Sequence, residues 1–140
     1  MIAYADASVI LRVILAADDQ LREWTELDAI VASQLVGTEC RRSLHRLRLA
    51  NRISDENLVA ALTAVGALLS EVDLVQVDTA VLTRAGDAFP TALGTLDSIH
   101  LVTALLWEQH QGEPLDAFLT HDVELGRAAR AMGLRVLGCG

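Results

Sequence analysis

Lysine is absent from the 140-residue chain, and all 11 basic residues are arginine. This excludes mechanisms that need a lysine, among them Walker-type phosphate loops and Schiff-base chemistry. Cysteine is scarce: Cys40 and Cys139 are isolated and fit no metal-ligand spacing. They read as thiols of a reduced, intracellular, cytoplasmic protein, with a single disulfide left open. No pair of His45, His100, His110 and His121 has the spacing of a zinc site. No Gly-x-Gly-x-x-Gly follows a strand pattern, which argues against a dinucleotide site. Long apolar runs are missing too. Leu58 to Leu69 is too short to span a bilayer. Met1 to Leu15 is interrupted by Asp6 and Arg12 and lacks a basic leader, so it is a poor signal peptide and no membrane role is expected.

Apolar residues make up 52% and charged residues 21%, the profile of a globular chain. The length suits one domain over residues 1–140, with room for a real core. The net charge is -8. That balance opposes generic attraction to nucleic acid or anionic lipid, so a nucleic-acid role requires a local basic surface.

Short β-type runs alternate with helical patterns. Strands are predicted at Ile2–Ala5, Ala29–Ala32, Leu74–Val77, Ala117–Thr120 and Leu134–Leu137. Val9, Ile10, Val13 and Ile14 follow the first at helical spacing. Val36, Cys40, Leu44 and Leu47 form the stripe of an amphipathic helix after the second. Ser54 or Asp55 can cap the next helix, whose stripe is Leu58, Leu62, Val65 and Leu69. A short helix is expected over 79–88. A helix capped by Thr95 then runs through Ile99, Val102, Thr103 and Leu106 and is apolar nearly all round. It is either central or part of an oligomer contact. Helix follows over Val123–Met132, and Gly133 stops it. Alternating strands and helices imply a three-layer α/β/α sandwich around a mostly parallel sheet.

In such a sheet, ligands bind at the carboxyl ends of the strands. Asp6 follows the first strand, Glu39 lies early in the helix after the second, Asp97 sits in the first turn of the apolar helix, and Asp122 follows the fourth strand. The fold would bring these four acids to one edge. Clustered carboxylates raise one another's pKa, and a hard divalent cation relieves that repulsion. Carboxylate oxygens suit Mg²⁺ or Mn²⁺, which can activate water for phosphodiester cleavage. Each acid also has a plainer role. Asp6 and Asp122 can cap helices, Asp97 can complement a helix dipole, and Glu39 can be solvated.

Together, Asp6-Ala7-Ser8, Thr38-Glu39-Cys40-Arg41, Thr95 to Ala104, Thr120-His121-Asp122, Leu125, Ala128-Ala129 and Gly133 resemble the PIN-domain family, and within it VapC-type toxins of toxin–antitoxin pairs. The resemblance covers essentially the whole chain. It implies an α/β/α fold, a Mg²⁺- or Mn²⁺-dependent endoribonuclease acting on RNA, a cognate VapB-type antitoxin and a homodimer. It makes Asp6, Glu39, Asp97 and Asp122 the acidic metal and catalytic site, with Ser8 and Thr120 as supporting hydroxyls. One departure is Gly94, where many members carry a basic residue.

Arg41, Arg42, Arg46, Arg48 and Arg52 fall within twelve residues that contain no acid. Arg41, His45, Arg48 and Arg52 are expected on one helical face. Arg41, Arg48 and Arg52 are candidate RNA-backbone contacts, against a solvated face or an antitoxin contact. His100 is expected to be a packed helix residue, His121 can lie near the acids, and Trp24 and Trp107 read as core or dimer contacts. Two other classes compete. A receiver or aspartyl-phosphate phosphatase domain shares the α/β plan but normally uses a lysine. A non-enzymatic interaction module would use the acids only as caps.

Overall fold

The computed structural model describes residues 1–139. Strands β1 (Ile2–Ala5), β2 (Ala29–Ser33), β3 (Asp73–Val75), β4 (Ala117–Leu119) and β5 (Val136–Leu137) form one sheet in the order β3-β2-β1-β4-β5. Every pairing is parallel, so the sheet is parallel throughout rather than mostly so. Tyr4 on the central strand stands opposite Val31 on one side and Phe118 on the other. Parallel neighbours need crossovers, and helices supply them. They are α1 (Ala7–Ile14), α2 (Leu35–Leu49), α3 (Asp55–Leu69), α4 (Thr79–Ala85), α5 (Thr95–Gln111) and α6 (Val123–Ala131). A 3₁₀ turn at Arg22–Glu26 has no counterpart in the sequence pattern, because five residues are too few to show a period.

Both sheet faces are buried, with the strand period of two deciding which side chain goes where. Ala3, Ala5, Ala32, Ala117 and Leu119 face α1, α2 and α3. Tyr4, Val31 and Phe118 face α5 and α6. The expected three-layer α/β/α sandwich results. The apolar girth of α5 has a physical reason. Leu101, Ala104 and Trp107 pack on the sheet-side core, while Ile99 and Val102 pack with Val81 of α4. The helix is therefore central. Trp107 is core and donates its Nε1–H to Asp73 at 3.1 Å, and Trp24 packs against the opposite core.

Boundaries shift in a few places. β3 runs Asp73–Val75 rather than 74–77, β5 begins at Val136, and α4 ends at Ala85. Ser54, not Asp55, caps α3, accepting from the Asn57 amide at 3.1 Å. Thr95 is not the cap of α5. Gly94, in extended conformation, takes that place without a side chain, and Thr95 is the first helical residue. Gly133 does stop α6, at φ +90°.

Candidate active site

The strand order reverses between β1 and β4. The helix leaving β1 packs on one sheet face and the helix leaving β4 packs on the other, which opens a crevice at their carboxyl ends. Asp6 and Asp122 stand at its two lips. Asp6 caps α1, accepting from the Val9 amide at 3.2 Å, and Asp122 caps α6, accepting from the Leu125 amide at 3.0 Å. The capping role and the site role coincide, because a carboxylate has about four acceptor positions and a cap uses one. Asp78 caps α4 in the same way at 3.0 Å, but β3 is an edge strand, and Asp78 lines a different pocket with Trp107 and His110.

Asp6 is 5% exposed and is tied by hydroxyls. Ser8 donates to Oδ1 at 2.6 Å and Thr120 donates to Oδ2. Each hydroxyl also accepts an amide: Ser8 from His121 at 2.9 Å, Thr120 from Asp122 at 3.0 Å. The amides leave each hydroxyl proton for Asp6, so Ser8 and Thr120 stitch the exit of β4 to the exit of β1. His121 thus borders the site. Its Nδ1 pairs with the Gly138 carbonyl at 2.8 Å, while its Nε2 is buried without a protein partner. Gly138 has φ +106°, and a Cβ there would stand 2.4 Å from the Thr120 carbonyl oxygen. Glycine is required beside this strand end on both counts.

Glu39 enters from the second turn of α2. Its Oε1 lies 2.6 Å from His100 Nε2, and His100 Nδ1 lies 2.6 Å from the Tyr4 hydroxyl, which accepts the Ser33 amide at 3.2 Å. His100 is packed, as expected, but it is also hydrogen-bonded to a site acid, which its apolar helical context concealed. The signal that could have found it is spacing: three residues after Asp97, it shares that residue's side of α5.

Asp97 shows that the acids act on one another. Its carboxyl is pushed up to about 6, first by burial, then by the charge of Asp122, with Asp6 and Glu39 adding and His100 opposing. The N-terminus of α5 favours a negative charge, but burial and three neighbouring carboxylates outweigh it. Four elements thus bring Asp6, Glu39 and Asp122 within electrostatic reach of Asp97. The donor set is hard oxygen with no lysine, which suits Mg²⁺ or Mn²⁺. Among the described residues, no group of three or more His, Cys, Asp or Glu already stands at metal-ligand spacing. The chemistry of the donor set fits a divalent cation.

Neighbouring Cys40 is buried and its thiol is pushed up to about 12 by burial and by Glu39 and Asp6, so it is unreactive. Both cysteines are free.

The arginine face differs from its expected form. α2 ends at Leu49 and Asn51 adopts φ 56°, so Arg52 lies beyond the helix and does not continue its face. Arg48 is ion-paired with Asp55 in the first turn of α3. Arg41 lies over Gly37, its guanidinium 2.8 Å from where a Cβ would stand, beside Leu69 of α3. Two residues beyond Glu39 on a helix is nearly the opposite side. None of these arginines hydrogen-bonds to a site acid among the described residues.

A family model of the PIN domain matches residues 3–131. The chain belongs to the PIN-domain family. Among curated relatives, the Mycobacterium tuberculosis protein named ribonuclease VapC35 is 34% identical over 146 residues, covering 98% of this chain and 96% of that protein. Ribonuclease VapC46 of the same species is 41% identical over 69 residues, 49% of this chain and 50% of that protein, so that match spans half its length. Among solved structures, Mycobacterium tuberculosis VapC20, described as a sarcin-ricin loop cleaving toxin, superposes with TM-score 0.62 at 19% identity, covering 94% of this chain and 95% of that one. A toxin–antitoxin complex from Klebsiella pneumoniae gives TM-score 0.62 at 11% identity, covering 96% and 95%. At such identities the solved structures speak for the PIN fold. No helix among the described residues is long and apolar enough to cross a membrane.

Proposed function

We propose that this PIN-domain chain is the toxin of a toxin–antitoxin pair, an endoribonuclease that hydrolyses RNA phosphodiester bonds with Mg²⁺ or Mn²⁺. The observation that carries the reading is the Asp97 carboxyl raised to about 6 by burial among Asp122, Asp6 and Glu39. Such a concentration of like charge around a half-buried carboxyl destabilises the fold unless it serves a ligand of opposite sign. The full-length relative named a ribonuclease supports the substrate class.

Asp6, Glu39, Asp97 and Asp122 would hold the metal. A divalent cation bound there supplies Lewis acidity and a water of lowered pKa. The chain's own residues set the stage. Ser8 and Thr120 fix the Asp6 carboxylate through both oxygens, and the α6 amide of Leu125 fixes Asp122. Asp97 stands on the first turn of α5, where burial and then the charge of Asp122 push its carboxyl up to about 6. Deprotonated, it completes the negative set and can accept a proton from attacking water. The expected partners are RNA, a VapB-type antitoxin and a second copy of the chain. Arg41, Arg48 and Arg52 remain candidates for contact with RNA or antitoxin.

The test is cleavage of a labelled RNA by purified protein with Mn²⁺, with EDTA, and with Asp97→Asn. Cleavage should need the metal and fall by about 100-fold or more in the variant. Metal-independent cleavage, or an Asp97→Asn protein as fast as wild type, would overturn the assignment.

A further inference from the structure

His100, Tyr4 and Glu39 come from α5, β1 and α2, and they form one chain of hydrogen bonds. It starts at a backbone amide. Ser33 N–H, at the end of β2, donates to the Tyr4 oxygen at 3.2 Å. With that side occupied, the Tyr4 hydroxyl proton is free for His100 Nδ1 at 2.6 Å. The remaining ring nitrogen, Nε2, then carries the proton and donates to Glu39 Oε1 at 2.6 Å. The tautomer with its proton on Nε2 satisfies all three contacts. Little can shift. The His100 side chain is 2% exposed. The Tyr4 ring stacks on Phe118 with centroids 5.1 Å apart and meets His100 edge-on at 5.9 Å.

Glu39 needs such a restraint more than Asp6 or Asp122 does. Asp6 and Asp122 are held by the caps and strand ends that carry them. Glu39 is a longer side chain on the second turn of a helix, and His100 is its hydrogen-bond partner among the described residues. A glutamate in that place would otherwise lose rotamer freedom on meeting a ligand. Partners that hold a metal-binding carboxylate are worth about 10–100-fold in metal affinity.

We propose that His100 is a positioning residue: its Nε2–H, fixed in that tautomer by Tyr4, holds the Glu39 carboxylate in place for the cation. The inference rests on the metal-site reading above. It assigns His100 no contact with substrate and no proton transfer.

The experiment is Mn²⁺ binding by calorimetry, with melting temperature recorded for each protein. Wild type is compared with His100→Leu, His100→Gln, Tyr4→Phe and Asp97→Asn. His100→Leu should bind Mn²⁺ about tenfold more weakly, and saturating Mn²⁺ should restore its RNA cleavage. His100→Gln can still donate to Glu39 and accept from Tyr4, so it should stay within about threefold of wild type. Tyr4→Phe should fall between them. A folded His100→Leu with wild-type affinity would overturn the proposal, and so would a Gln variant as weak as Leu, since packing alone would then explain the residue. If His100→Leu does not fold, Tyr4→Phe decides: weaker binding supports the relay and unchanged affinity overturns it. A wild type that binds no Mn²⁺ would overturn the metal reading and this inference with it. Wild-type binding that only Asp97→Asn abolishes would overturn this inference alone.

Discussion

Two charged regions of this molecule are built by opposite rules. At the β1/β4 crevice, Asp6 is buried, Glu39 and Asp97 are half-buried and Asp122 is exposed, and burial followed by the charge of Asp122 raises Asp97 to about 6. Along α2, the arginines are mostly exposed, and Arg48 is neutralised by Asp55. The arginine surface is therefore cheap to maintain, because water and surface pairs absorb its charge. The acid cluster costs stability, and the fold spends several hydrogen bonds holding it. A protein retains the expensive arrangement where a ligand needs it. The contrast separates charge spread over an exposed helix surface from charge that is held in place.

The sharpest way to break this comparison is to neutralise one member of each region. Asp97→Asn should reduce RNA cleavage by about 100-fold or more, with a near-native circular dichroism spectrum. Arg42→Gln, on an exposed position of α2, should leave turnover at saturating RNA nearly unchanged. Equal losses in the two variants would mean that the cluster has no special place in the reaction.

Metal should reverse the cost of the cluster. On the proposed metal reading Mn²⁺ would bind the folded chain only, so at 100 times its Kd it should stabilise wild type by about 2.7 kcal/mol, read as a rise in melting temperature. Asp6→Asn adds a second contrast. Asp6 accepts from two hydroxyls and an amide, and those hydroxyls are themselves accepting amides. An amide NH₂ there leaves a buried donor unmatched, at about 1–3 kcal/mol. Asp97 accepts no such set, so Asp97→Asn should fold well while Asp6→Asn melts earlier. Equal melting temperatures in the two variants would refute the stitching role given to Ser8 and Thr120.

Much of this arrangement is legible in the sequence, for reasons that also mark where reading stops. Asp6 and Asp122 stand directly after apolar strand runs, so a rule about strand ends finds them. Asp78 obeys nearly the same rule and is not part of the site, because the sequence pattern does not tell which strand lies at an edge. Helices α1, α2 and α3 follow from their apolar periodicity, while β3 and β5, at three and two residues, are too short to fix their ends. His100 and Tyr4 are hidden by burial. Inside an apolar run a polar atom looks like packing until its partners, 61 and 96 residues away in sequence, are known. The arginine face is misjudged for a simpler reason. A helical wheel drawn through Arg52 assumes a helix that Asn51 ends with a left-handed residue.

Asp97 gives the comparison a pH dependence in the metal-free protein. Its folded pKa of about 6 stands above the ordinary 3.8. Between these values the folded state binds more protons than the unfolded one, so stability falls as pH rises through that window. Below about pH 4 both states are protonated and the carboxyl contributes nothing. Above about 6 the whole penalty is present. Asp97→Asn lacks the charge at every pH. Its melting temperature should match wild type near pH 4, exceed it progressively up to pH 6.5, and fall below it once Mn²⁺ is added. A constant difference across the range would show that Asp97 does not feel its neighbours.

The smallest expected effect tests whether the arginines do anything beyond solvating α2. Each phosphate contact with single-stranded RNA contributes about 0.7 to the slope of log K against log salt. If Arg41, Arg48 and Arg52 all touched phosphates, replacing the three by Gln would flatten the slope by about 2. Arg48 is already paired with Asp55, so counterions gathered by RNA have less to gain from it. The slope should then flatten by about 1.4, and Arg48→Gln alone should change it little. The measurement is RNA binding to the Asp97→Asn protein, which leaves the RNA intact, titrated from low to physiological salt. A change near 2 would show that RNA breaks the Arg48–Asp55 pair on binding. An unchanged slope would remove all three residues from the RNA interface and leave the basic surface of α2 as solvated charge or as the docking side for an acidic segment of the antitoxin.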